Sequence, residues 1–97
     1  MSTERAAGPF DLDGAWLLDE RVAIRPERFG ALLYHFGTRR LSFLKSPELV
    51  AVVRALVEQP TARAACAQAG VSPSEMPRYQ VALAALAASG TILPRSV

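Results

Sequence analysis

The chain has 97 residues, room for one domain and a modest core. Half of it is apolar (51%), much of that alanine, yet no apolar run approaches the roughly 20 residues a membrane helix needs. The net charge is a slight +2, and a single cysteine and a single histidine exclude an internal disulfide and a Cys/His metal cluster.

Residues 1–14, MSTERAAGPFDLDG, hold Gly8, Pro9 and Gly14 and few large apolar side chains, so they read as a flexible N-terminal arm. They contain no apolar core of a signal peptide, and the expected location is cytoplasmic. The domain is expected over residues 15–97, with the ordered part opening at AWLL, 15–18. In RVAIR, Val22 and Ile24 alternate onto one face, and Pro26-Glu27-Arg28 is expected to turn the chain. FGALLYHF and LSFLK then read as a hairpin closed by Gly37-Thr38-Arg39-Arg40. A four-residue loop sets Phe36 opposite Leu41 and Tyr34 opposite Phe43. The core face is then Leu32, Tyr34, Phe36, Leu41 and Phe43, with Leu33, His35, Ser42 and Leu44 on the other side.

Three helices follow. Ser46-Pro47-Glu48 is a strong start, with a capping hydroxyl, a proline at the first helical position and a carboxylate at the positive dipole end. Leu49, Val52, Val53, Leu56 and Val57 recur at helical spacing up to Pro60. Thr61 caps a second helix, ARAACAQA, which Gly70 stops. Ser72 and Glu75 fit a capping box for a third helix, and Pro77 places its start near Ser74. Its stripe is Met76, Tyr79, Leu83 and Leu86, Gly90 ends it, and TILPRSV is a tail with room for a short strand. The expected class is α+β and winged-helix-like: a three-stranded antiparallel sheet on the N-terminal side, then a three-helix bundle.

Catalytic patterns are missing. There is no Cys–His pair, no Ser-centred elbow, no Gly-rich phosphate loop and no HExxH. Asp19-Glu20 beside Arg21 is the nearest approach to paired carboxylates and reads as a solvated turn. Cys66, in an alanine-rich helix, reads as a small buried packing residue. His35 has no flanking carboxylates and reads as structural or surface. The expectation is a chain that is not an enzyme and takes no metal or cofactor.

Two binding functions compete. In a winged-helix DNA-binding regulator the third helix would need a polar, basic exposed face, and SEMPRYQVALAALAASG offers Arg78, Gln80 and then alanines. Peptide binding fits better. A three-stranded sheet leaves an edge to which an extended chain can add through main-chain hydrogen bonds. RRLSFLK is a short strand with basic residues at each end, and an alanine-rich helix lets a peptide lie close. No nucleic acid and no membrane are expected as partners.

The order of elements resembles the PqqD-like peptide chaperones, the recognition elements of ribosomally made, modified peptides. More narrowly, the chain resembles the mycofactocin biosynthesis peptide chaperone family. The residues that carry this are Arg25-Pro26-Glu27, Phe29-Gly30-Ala31, Tyr34-His35, Thr38-Arg39-Arg40-Leu41 and Phe43-Leu44 followed by Ser46-Pro47, within residues 16–93. The resemblance implies a non-catalytic protein that binds a precursor peptide and presents it to a radical S-adenosylmethionine maturase. It implies that the peptide adds as a strand beside Leu41–Lys45, against a helix face including some of Met76, Tyr79, Gln80 and Leu83. The candidate site residues are therefore Arg39, Arg40, Leu41, Ser42, Phe43, Leu44, Lys45, Met76, Tyr79, Gln80 and Leu83. Each has a plainer role: Leu41 and Phe43 as core, Arg39 and Arg40 as a solvated tip, Tyr79 packed on the sheet, Thr38 and Ser46 as turn and cap. The half-apolar second face of the hairpin leaves a monomer or a weak homodimer open.

Overall fold

A computed structural model describes residues 10–95. Five strands and three helices follow in the order β1 (Trp16–Leu18), β2 (Val22–Glu27), β3 (Gly30–His35), β4 (Leu41–Leu44), α1 (Pro47–Ala55), α2 (Ala62–Gln68), α3 (Met76–Ala88) and β5 (Ile92–Pro94). They form two sheets, not the single three-stranded sheet followed by a bundle that the sequence suggested. One is β2-β3-β4; the other pairs β1 with β5, Trp16 opposite Pro94. The tail thus returns as a strand and closes the helices between the chain's two ends. Arg95 fixes that closure by donating to the carbonyls of Leu56 (2.6 Å) and Gln59 (2.7 Å) past the end of α1.

The expected arm falls outside the described residues over 1–9. From Phe10 onward the chain packs on the domain: Leu12 is buried, and the Phe10 ring centroid lies 4.9 Å from that of Trp16.

The expected turn at Pro26–Arg28 is instead strand and hairpin. Pro26 lies in β2 opposite Ala31, and the reversal is made by Arg28 and Phe29 between the paired Glu27 and Gly30. β2 is an edge strand, where a residue with no N–H is tolerated.

The hairpin register is two residues from the expected one. Tyr34 faces Leu41, Leu32 faces Phe43 and Ala31 faces Leu44. The loop is longer because the His35 side chain organises it. His35 Nδ1 accepts from the N–H groups of Gly37 (3.0 Å) and Thr38 (3.1 Å), and Arg39 turns the tip in the left-handed region at φ 66°. A shift of two keeps the same side chains together. What reverses is the choice of core face. Ala31, Leu33, His35 and Leu44 are buried, whereas Phe36, Leu41 and Phe43 are exposed by 64%, 55% and 56%. The inner face lies against α1, and small or aliphatic side chains let helix and sheet approach. At Gly30 even a methyl is excluded, because a Cβ would run into the Leu44 carbonyl oxygen.

Asp19 and His35, read as a solvated turn residue and a structural or surface side chain, are buried together (3% and 2% exposed). His35 Nδ1 is an acceptor of two N–H groups, so its proton sits on Nε2, which meets Asp19 Oδ2 at 3.1 Å. Arg21 adds a two-pronged contact to Asp19, with Nη2 at 2.9 Å and Nε at 3.2 Å. Hydrogen bonds from the Arg21 side chain and backbone N–H, aided by His35, hold the Asp19 carboxyl far below its ordinary pKa despite its burial.

The helices follow their capping residues. Ser46 accepts from Leu49 N–H and Thr61 from Ala64 N–H. Gly70 (φ 90°) and Gly90 (φ 77°) stop α2 and α3 in the left-handed region glycine adopts without penalty. Val57 falls outside α1 and is exposed. The capping box does not form: Pro73–Glu75 is a 3-10 turn, the Ser72 hydroxyl meets Glu75 Oε1 at 3.3 Å, and α3 begins at Met76 with Pro77 in its first turn. Cys66 is buried, as expected, and burial pushes its thiol up, away from a reactive thiolate.

Candidate functional site

β4 is an edge strand: among the described residues no strand pairs with its outer side. The ladder fixes which main-chain groups face outward. His35 N–H donates to the Arg40 carbonyl at 2.9 Å. Hydrogen-bonded pairs alternate along an antiparallel ladder, so Leu33–Ser42 and Ala31–Leu44 are the next two. The Leu44 carbonyl lying against Gly30 agrees with this. Ser42 and Leu44 therefore direct N–H and C=O at β3. Those of Leu41, Phe43 and Lys45 point away from it.

Beside this edge runs a groove of about 570 Å³, bounded by β4, the start of α1 and one side of α3. A cleft of that size takes several side chains rather than an ion. Ser42, Phe43, Leu44, Lys45, Ser46 and Leu49 line one bank; Arg78, Tyr79, Val81, Ala82, Ala85, Leu86 and Ser89 line the other. The helical bank is shallow because of its residue types. Arg78, Ala82, Ala85 and Ser89 recur at steps of four, three and four, one stripe of a helix. Two alanines and a serine leave space that larger side chains would fill. Tyr79 and Leu86, on the buried face next to this stripe, form the floor with Leu44 and Leu49. Arg78 and Lys45, both exposed, supply positive charge.

Of the candidate residues, Ser42, Phe43, Leu44, Lys45 and Tyr79 meet at this groove. Leu41 is on the same strand, its side chain on the outer face of the sheet. Arg39 and Arg40 are exposed at the hairpin tip. Met76 is half-buried against the core, Gln80 is exposed and Leu83 is wholly buried; none of the three lines the groove. Val81, Ala82, Ala85 and Ser89 were not singled out from sequence. The signal was present: once Tyr79, Leu83 and Leu86 mark the core face of α3, the small-residue stripe one step round is its neighbour.

Among the described residues no three His, Cys, Asp or Glu side chains come together as metal ligands, and no helix is long and apolar enough to cross a membrane. The DNA alternative would need α3 as a reading helix. Beyond Arg78 and Gln80 its exposed residues are Val81, Ala85 and Ala88, none of which donates to a phosphate.

Comparison with known proteins gives a consistent result. The model of the peptide chaperone MftB family matches residues 15–93. A peptide chaperone MftB of Mycobacterium ulcerans is 55% identical over 89 residues, covering 92% of this chain and 82% of the relative. Its namesake in Mycobacterium tuberculosis is 52% identical over 86 residues (89% and 79%). That of Mycolicibacterium smegmatis is 50% identical over 95 residues (97% and 93%). These relatives are named for a binding role and not for a reaction. No solved structure gives a significant match.

Proposed function

The chain belongs to the peptide chaperone MftB family, and from that premise we propose that it is the peptide chaperone of mycofactocin biosynthesis, holding its precursor peptide as an added strand on β4. The observation that carries the site is the coincidence of an edge and a groove. Outward main-chain groups at Leu41, Phe43 and Lys45 stand beside a cleft floored by Tyr79, Leu86, Leu44 and Leu49 and banked by alanines. An added strand takes hydrogen bonds from the edge, which are indifferent to sequence. It takes specificity from alternate side chains that enter the groove. Lys45, Arg78 and the Arg39-Arg40 tip favour carboxylates on the peptide.

The domain over residues 15–97 is used as a winged-helix-like clasp, its three-stranded sheet supplying the edge and α3 the opposing bank. The protein performs no reaction. It raises the local concentration of the peptide at a radical S-adenosylmethionine maturase in the cytoplasm, and needs no metal or nucleotide to do so.

Filling the groove tests this reading. Ala85 is exposed and lines the cleft, so Ala85→Trp should fold normally and weaken binding of the labelled precursor peptide at least tenfold. Unchanged affinity in a folded Ala85→Trp protein would place the peptide elsewhere.

A further inference from the structure

The three-stranded sheet is apolar on both faces, and among the described residues only one is covered. On the outer face the cross-strand rows are Ala23–Tyr34–Leu41 and Arg25–Leu32–Phe43. Phe36 lies against Tyr34, ring centroids 4.8 Å apart and edge to face; Phe29 reaches Phe43 at 6.4 Å. Phe29, Phe36, Leu41 and Phe43 are between 47% and 64% exposed, and together they make one patch rather than scattered apolar residues. Antiparallel sheets ordinarily set a polar face to water. A second apolar face implies a second layer.

Charge selects the occupant. Arg25 and Lys45 stand on this face, Arg28 beside Phe29, and Arg39 and Arg40 at the tip, while Glu27 is tied to Arg25 at 3.2 Å. A second copy would bring this basic rim against itself. Residues 1–9, MSTERAAGP, offer no large apolar side chain except Met1. What fits is an apolar protein surface bordered by carboxylates. The face is also continuous with the edge: Leu41 and Phe43 present side chains to it and main-chain groups to the open edge.

We propose that the outer face of β2-β3-β4 is the docking surface for the enzyme that receives the peptide, through an acidic-bordered apolar patch on that enzyme. This rests on the reading of β4 as the peptide's edge, and it places enzyme and peptide side by side on one strand. An arriving enzyme then meets the peptide already extended.

The test separates the two surfaces. Two variants change no residue that lines the groove: Phe29→Ser with Phe36→Ser, and Arg25→Glu with Arg28→Glu. The probes are the precursor peptide and the radical S-adenosylmethionine maturase encoded in the same genome, each titrated against wild type and variants of confirmed circular dichroism. Both variants should weaken maturase binding at least tenfold and keep peptide affinity within twofold. Wild-type maturase binding should fall as salt rises. Maturase binding unchanged in both variants overturns the proposal, as does a parallel loss of peptide binding. Sedimentation showing a wild-type dimer that Phe29→Ser with Phe36→Ser dissociates would make the face a self-interface and overturn it too. Maturase binding that is lost in the variants, from a wild type that does not bind the peptide, supports this face and removes the groove reading instead.

Discussion

Proline placed at successive positions of β4 should have opposite consequences. At Phe43 the N–H points away from β3, the ring is 56% exposed and the strand is an edge, so Phe43→Pro should fold. It removes one donor to an added strand. A net hydrogen bond is worth about 0.5–1.5 kcal/mol, so peptide affinity should drop about 2- to 13-fold. Phe43→Ala, which removes the ring and keeps the N–H, separates the two contributions. At Ser42 the N–H serves the Leu33 carbonyl inside the hairpin. Ser42→Pro orphans that carbonyl beside the core and should destabilise the fold by about 1–3 kcal/mol. Anisotropy of the labelled precursor peptide reads the first effect and urea unfolding followed by circular dichroism reads the second. A folded Phe43→Pro protein that binds as tightly as wild type would refute the edge assignment. A Ser42→Pro protein of wild-type stability would refute the register.

Other expectations concern the buried cluster and the alternatives. Asp19→Asn should lower stability at neutral pH by about 1.5–3 kcal/mol, the range for hydrogen bonds to a charged group. The Asp19 pKa is lower in the folded than in the unfolded chain, so its contribution is complete above the ordinary carboxylate value of 3.8 and is lost progressively as pH falls from there toward the much lower folded value. The gap in urea midpoint between wild type and Asp19→Asn should therefore begin to narrow as pH falls below that value and go on narrowing with further acidification, and a gap that widens would contradict it. Arg39→Ala with Arg40→Ala should weaken the peptide less than Ala85→Trp does, by an amount that shrinks with added salt, because exposed charges are screened; titration at two ionic strengths reads it. Calorimetry after chelation should give an unchanged peptide affinity, and loss restored by metal would contradict that. Gel shifts with the gene's own upstream DNA should show weak, unselective binding at near-physiological salt, and a tight selective complex would revive the regulator.

The helices were legible because their signals are local. Ser46, Thr61, Gly70 and Gly90 act within one turn of themselves, and the structure puts each where its chemistry requires. The sheet was legible in its strands and in the pairing of β3 with β4, but not in which face is buried. Aromatic residues at 34, 36 and 43 suggested a core. The core went instead to Ala31, Leu33, His35 and Leu44, because α1 packs closely there and Asp19 supplies a partner for a buried imidazole. That partner lies 16 residues away, beyond any local pattern. The β1–β5 pair joins the two ends of the chain and had no signal beyond a short apolar tail. Of the site, the edge strand was read from its basic ends and its place in the sheet. The α3 bank was read only as alanine-rich, and the residues named from resemblance, Met76, Gln80 and Leu83, fall outside the groove.

On the proposed function, β4 gains a strand when the peptide binds. Hydrogen exchange of the isotopically labelled protein, followed residue by residue by NMR with and without the precursor peptide, addresses it directly. The amides of Ser42 and Leu44 should be protected in both states, because β3 holds them. Those of Phe43 and Lys45 should exchange freely alone and become protected with peptide, together with shifts at Ala82 and Ala85. Saturating peptide that leaves Phe43 and Lys45 exchanging freely, while another surface becomes protected, would contradict it.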